Sequence, residues 1–244
     1  MSTVINFLTS LSLWGSIVNC LAVIAGASVG LVIKRFIGVG AEGGLMSRIS
    51  DALMKGMALC VLLIGVSGAI KTQNVIIVIV SIAIGAVIGE LCDLNRRVEN
   101  LGERVEKLTK GKFGNITQGF VAASLLFCVG AMTIVGSLNS GLLGDHTTLY
   151  TKALIDMIAG FVLATTLGIG VAFSSLFVLV FQGTITLFAV WIAPVLSDAA
   201  INEMTAVGSL LILALSLNML GLTKIKVMNY VPAVFIPIIL CLFM

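Results

Sequence analysis

The sequence predicts an all-α membrane protein, a bundle of about eight transmembrane helices. Three observations carry that reading. The 244 residues are 59% hydrophobic and only 10% charged, with a mean hydropathy of +1.19, whereas a soluble domain carries about 25% charge to face water. Nearly the whole chain divides into eight apolar stretches, and a bilayer core of roughly 30 Å takes about 20 apolar residues in a helix. The charges between the stretches are sorted by sign and by side. The continuous apolar runs lack the alternation of a membrane barrel.

The first span is expected at 14–35, opening on Gly15-Ser16-Ile17-Val18-Asn19 and closing on Lys34-Arg35. Ala25-Gly26-Ala27 has the small residues of a signal cleavage site, but residues 1–13 hold no Lys or Arg and the apolar run continues to Lys34. It reads as an uncleaved span. Spans two and three, 53–71 and 74–92, are joined by the polar turn Lys71-Thr72-Gln73-Asn74. The connector 93–115 places Leu94, Val98, Leu101, Val105 and Leu108 at spacings of four and three, the stripe of an amphipathic helix. Its six basic residues suit the inner leaflet surface; docking a cytosolic partner is the alternative. The whole, residues 1–244, forms one polytopic domain.

Span four is expected at 117–138. Spans five and six, 151–170 and 172–194, are split at Leu167-Gly168-Ile169-Gly170, because one uncharged run of more than 40 residues is too long for one crossing. Spans seven and eight, 205–222 and 227–243, flank Thr223-Lys224-Ile225-Lys226. If connectors alternate sides, Lys34, Arg35, Arg48 and Lys55, the six basic residues of 93–115, and Lys224 with Lys226 share one side. The positive-inside rule puts that side in the cytoplasm and both termini outside.

Short echoes connect the ends of the chain. Gly15-Ser16-Ile17 matches Gly183-Thr184-Ile185, and Gly56-Met57-Ala58-Leu59 matches Gly208-Ser209-Leu210-Leu211. They allow an inverted repeat of spans 1–3 and 6–8 around an inserted pair, a construction common in secondary transporters; chance similarity of apolar helices is the alternative. Gly26-xxx-Gly30 and Gly85-xxx-Gly89 permit close helix packing.

Polar side chains inside spans are costly and therefore point to function. Asn19, Asp156, Gln182, Thr184 and Asn218 are the substrate-path candidates, with interhelical hydrogen bonding as the alternative for each. Asp156 serves either as a proton or cation ligand or as a partner for Lys152 one turn earlier. Glu90 is expected to pair with Arg96 and Arg97 at the interface. In Gly144-Asp145-His146-Thr147-Thr148, a threonine is expected to cap span five, and two potential ligands make a weak metal signal. The five cysteines stand singly, without metal or disulfide spacing. No Walker loop, nucleophile elbow or His-Glu-x-x-His pair occurs, so neither an enzyme nor a bound cofactor nor a nucleic-acid partner is expected.

Phe120–Leu138, read as FVAASLLFCVGAMTIVGSL, is followed by Lys152-Ala153-Leu154-Ile155-Asp156 and Phe181-Gln182-Gly183-Thr184-Ile185-Thr186-Leu187. With Gly15–Asn19 and Ile84-Gly85-Ala86-Val87-Ile88-Gly89-Glu90, these strings resemble the YqgA/YdfK-like family of uncharacterised bacterial inner-membrane proteins, over residues 15 to about 240. The resemblance implies a multi-pass protein of the bacterial plasma membrane and supplies no substrate. The reading is a secondary transporter or permease for a small solute or ion, alternating access between two related helix triplets. A membrane scaffold or partner-binding component is the alternative, and a homo-oligomer fits either.

Overall fold

The computed structural model describes residues 12–37, 45–100 and 116–243, and all regular structure among them is helical. In chain order the elements are α1 (Trp14–Ile37), α2 (Leu45–Ala69), α3 (Val75–Cys92), α4 (Ile116–Cys128), α5 (Ala131–Leu143), α6 (Thr147–Leu167), α7 (Gly170–Leu187), the single turn α8 (Ala189–Ile192) and α9 (Asp198–Met219). A 3-10 segment (Val227–Phe235) and α10 (Ile236–Phe243) complete it. Residues 94–100 are helical, as the amphipathic stripe requires; the rest of that connector lies outside the described residues.

Among the described residues, five helices are long and apolar enough to cross a membrane: α1, α3, α6, α7 and α9. Span four differs from expectation because α4 and α5 are one apolar stretch bent by 62°. Gly130 makes the break at φ 141° and ψ 146°, a conformation open to glycine alone. Thr133 Oγ1 donates to the carbonyl of Phe127 at 3.0 Å, so one carbonyl freed by the break is satisfied. The second and eighth stretches contain shorter apolar helices, Met54–Ala69 and Val227–Phe243. The last begins as nine residues of 3-10 helix, with Pro232 inside it lacking the amide that an α-helix needs.

Helix ends follow local chemistry. Asn74 caps α3 by accepting from the Ile76 amide, and Ser197 caps α9 by accepting from Ala200, each at 3.1 Å. Gly168 turns the chain between α6 and α7 at φ 78°, where the glycine pair was expected to break the run. Span five is not capped by a threonine. Asp145 accepts from the Thr147 amide at 2.9 Å, and that bond lies at an exposed loop.

Small residues set the packing. A Cβ on Gly26 would overlap the carbonyl oxygen of Met157, and one on Gly30 that of Phe161, so α1 lies parallel to α6 at backbone contact. Gly85 and Gly89 likewise meet Ala233 and Asn229, which sets α3 antiparallel to the 3-10 segment. Gly65 against Leu213 and Gly68 against Ser209 set α2 antiparallel to α9. Phe120 meets Phe177 edge-on at 6.0 Å and Gly119 meets Gly170, so α4 runs parallel to α7.

These directions gather Lys34, Arg35, Arg96, Arg97, Lys224 and Lys226 at one end, the basic end. Lys34 donates to the carbonyl of Thr166 at the close of α6, α4 starts beside Gly170, and Thr117 faces Lys224 across a cleft. The finish of α5 lies at the other end, where Gly136 abuts Thr148 and Leu149. The bent pair therefore carries the chain through the bundle and does not return to its starting side.

Contacts separate two groups. One holds α1 and α4 to α7; the other holds α2, α3, α9, the 3-10 segment and α10. Contacts between the groups are sparse, chiefly α9 against α4 and α5 and α2 against α6. Large apolar side chains such as Leu21, Leu63, Ile79, Val87, Ile158 and Leu176 cover the exterior, as lipid requires.

Candidate functional site

The polar centre of the first group lies on α6. Asp156 is the tenth of its 21 residues, about 13 Å along the helix from its start, deeper than the sequence placed it. Lys152 Nζ donates to both carboxylate oxygens at 2.8 Å, and Asn19 Nδ2 of α1 donates to Oδ2 at 3.0 Å. Asp156 is 3% exposed, Lys152 6% and Asn19 not at all. The i,i+4 spacing places both charges on one helix face, and Gly26 brings α1 close enough for the amide to reach them. A buried pair is tolerated when each charge has its counter-charge and further hydrogen bonds. Here Asn19 Oδ1 finds no partner among the described residues.

Gln182 is fully buried on α7, and among the described residues neither Nε2 nor Oε1 has a hydrogen-bond partner. Ser16 Oγ on α1 and Ser137 Oγ on α5 are also buried without partners. Each such atom costs about 1–3 kcal/mol, so four orphaned side chains on three mutually packed helices are not explained by packing. Nearer the non-basic end, Ser140 Oγ donates to the carbonyl of Ser12 at 2.7 Å and lies 2.8 Å from His146 Nδ1. The serine has one hydroxyl proton, so Nδ1 is the donor in the second bond.

Two candidates fall elsewhere. Thr184 is exposed on α7 and donates to its own helix at Val180, so its hydroxyl is absent from this centre. Asn218 lies at the end of α9 and staples the following turn, accepting from the Thr223 hydroxyl and the Ile225 amide and donating to the Ile225 carbonyl. It borders a cleft of about 720 Å³ at the basic end, shared with Asn95, Glu99, Thr117, Lys224 and Lys226. The structure thus joins Asn19 to Asp156, puts Gln182 on a neighbouring helix, and leaves Thr184 and Asn218 apart.

A second cavity, about 100 Å³, opens between the two groups. Phe120, Phe177, Phe181 and Phe235 line it with Met204 and Met228, and it reaches Ser124, Cys128 and Gly130 at the break between α4 and α5. Cys128 also lies close enough to Lys152 and Asp156 to feel both charges. The break thus separates an apolar chamber from a buried ion pair.

With this geometry in view, the sequence comparisons are specific. Residues 14–242 match the family described as Protein of unknown function (DUF554). The chain belongs to that family. It is similar to "Uncharacterized membrane protein YdfK" of Bacillus subtilis (strain 168), 34% identical over 229 residues, covering 92% of this chain and 94% of the relative. It is similar to "Uncharacterized protein YqgA" of Escherichia coli (strain K12), 29% identical over 224 residues, covering 90% and 92%. No solved structure matches. The membrane relative and the apolar helices together make this DUF554 chain a multi-pass membrane protein.

Two further polar positions escaped the sequence reading. Glu203, 2% exposed, accepts from the Thr72 hydroxyl at 2.5 Å and from the amides of Gln73 and Asn74 at 2.7 and 3.1 Å. Asn229 donates to Glu90 and accepts from the Asn95 amide at 2.7 Å. Glu90 pairs with Lys226 at 3.4 Å, not with Arg96 or Arg97 as expected, because the 3-10 segment packs directly on α3. The signal available in the sequence was a lone acid inside an apolar run; its partners lie more than 120 residues away in sequence. Among the described residues no cluster of three or more potential metal ligands occurs.

Proposed function

We propose that this protein is a secondary transporter for a small solute or ion, crossing the bilayer eight times with the basic end in the cytoplasm and both termini outside. The observation that carries the reading is the Lys152–Asp156 pair with Asn19, buried mid-helix beside a broken span. Ionisable side chains at such depth are expensive and mark solute or ion pathways. Broken helices at membrane depth are tolerated where they border a cavity, as this one does.

An inverted repeat is also supported by packing. Span one (α1) lies antiparallel to span six (α7), with Leu13 against Gly183 and Cys20 beside Ser175. Spans two and three lie antiparallel to spans seven and eight. Each member of one triplet therefore packs on its counterpart in the other. The bodies that would move are not the triplets but the two packing groups, because each group holds members of both. Their sparse interface holds the aromatic chamber, and alternating access would open it by turns to either side.

The test is uptake by proteoliposomes of sodium, potassium, amino acids and small carboxylates, compared with Asp156→Asn. Flux that depends on Asp156 supports the carrier. No flux above protein-free vesicles across this set, with correctly folded protein, turns the reading to a scaffold. One observation favours that second reading: Thr184 and Asn218 are each satisfied by local bonds, and neither bonds the buried pair.

A further inference from the structure

Seven buried side-chain atoms among the described residues have no hydrogen-bond partner, and five of them belong to Ser137, Gln182, Ser16 and Asn19. Their placement is sequential. His146 bonds Ser140, and Ser137 lies one turn earlier on α5. Thr186 donates to the carbonyl of Ser137, and Gln182 lies one turn before Thr186 on the same buried face of α7. Leu13 touches Gly183, so α1 passes Gln182 in its first turn, where Ser16 sits. Three residues further, Asn19 holds Asp156.

We propose that these side chains hold a file of water leading from the His146 end to the Asp156 carboxylate, and that the file conducts protons. The proposal rests on the transport reading above and names the proton as its coupling ion. Buried polar groups with unmet hydrogen bonds are where proteins hold internal water, each molecule making about three bonds. The atoms left over suit water better than a bare cation: the two hydroxyls and the amide of Gln182 include donors as well as acceptors. Amides cannot pass a proton readily themselves, so Gln182 and Asn19 position water, and water and hydroxyls carry the charge.

The step balances simply. One proton enters from water at the His146 end, and one O–H bond forms on a carboxylate oxygen of Asp156. Lys152 keeps its proton, so the site passes from neutral to a single positive charge until the proton leaves toward the other side. The groups facing Asp156 are few. Lys152 shares its helix, α4 brings the Cys128 thiol, and α1 brings Asn19, while the Cys20 thiol of α1 bonds Ser175 of α7 instead. Neither α5 nor α7 carries an ionisable side chain, and α2, which touches α6 sparsely, carries Arg48, Asp51, Lys55 and Cys60.

Infrared difference spectra of the protein in vesicles, taken during an acid jump in deuterated buffer, read the protonated carboxyl directly. A carboxylic acid band absent from Asp156→Asn should appear in the unaltered protein. Its rate should fall about tenfold in Gln182→Leu and in Ser137→Ala, the effect of roughly 1.4 kcal/mol on a barrier. A leucine removes orphaned atoms, so a purely structural role predicts a higher melting temperature and an unchanged rate, and that result overturns the proposal. So does the lack of any Asp156 band over the accessible pH range. Solute uptake that persists without dependence on a proton gradient would retain the carrier while removing the proton path.

Discussion

Lys152 and Asp156 lie one helical turn apart, with the ammonium 2.8 Å from each carboxylate oxygen, and neither is more than 6% exposed. Each charge is buried because the other is present. Removing one leaves the other uncompensated, which costs about 3–5 kcal/mol, whereas replacing both by apolar residues is often neutral or better. Lys152→Met and Asp156→Leu should each lower the melting temperature in detergent, and the double variant should regain most of the loss. Additive losses in the double variant would show that the two side chains do not act as a pair.

Glycine at the helix contacts gives a graded prediction. A methyl group on Gly26 or Gly89 meets a partner's carbonyl oxygen, whereas one on Gly56 meets nothing within 4 Å. Gly26→Ala and Gly89→Ala should each cost about 1–3 kcal/mol through backbone displacement. Gly56→Ala, in the interior of α2, should stabilise by about 0.4–1 kcal/mol. Equal melting temperatures for all three would contradict the backbone contacts.

Those contacts also mark how far the sequence could be read. The apolar runs, the glycine turn at 168–170 and the two small-xxx-small motifs were visible because each is a local pattern. The bend at Gly130 was not, since Phe120–Leu138 is one largely apolar run and its two glycines, Gly130 and Gly136, signal neither angle nor direction. Of the polar candidates, Lys152 and Asp156 were legible as a pair by spacing. The exposure of Thr184 and the local bonds of Asn218 were not, because hydropathy places a residue along a span without saying which way its side chain faces. Glu203 meets Thr72 across 131 positions, a distance that no helical period spans.

Glu203 provides a test of such a long-range tie. Its carboxylate receives two backbone amides and a hydroxyl at the turn before α3. Glu203→Leu should leave these donors unmet, at about 1–3 kcal/mol for each that water cannot reach. Hydrogen exchange at Gln73 and Asn74 should quicken more than exchange in the middle of α3. Unchanged protection at the turn would mean that the helices alone hold it.

At the start of α6, hydrogen bonds from the hydroxyl and amide of Thr147 hold the Asp145 carboxyl below the usual carboxylate range. A depressed value in the folded state means stability that is present above the unfolded value, about 3.9, and lost as pH falls through the folded one. The melting temperature of the unaltered protein should therefore exceed that of Asp145→Ala near neutral pH. The difference should shrink below about pH 4. A gap independent of pH would assign the effect to something other than the ionised carboxylate.

The helix directions make the crossing number testable without knowing the solute. Because α1 and α6 run parallel, the chain between them must reverse an odd number of times beyond its first return, which the bent pair accomplishes by passing through the bundle. Were it re-entrant, α6 would begin at the basic end and run against α1. With the bent pair crossing, Asp145 and Leu222, both exposed in connectors, should lie on opposite faces of the membrane. In a background with the five native cysteines replaced, Asp145→Cys should react with a membrane-impermeant maleimide added to intact cells. Leu222→Cys should react only after the cells are opened. Labelling of both from outside would break the alternation of connectors, and with it the assignment of the basic end to the cytoplasm.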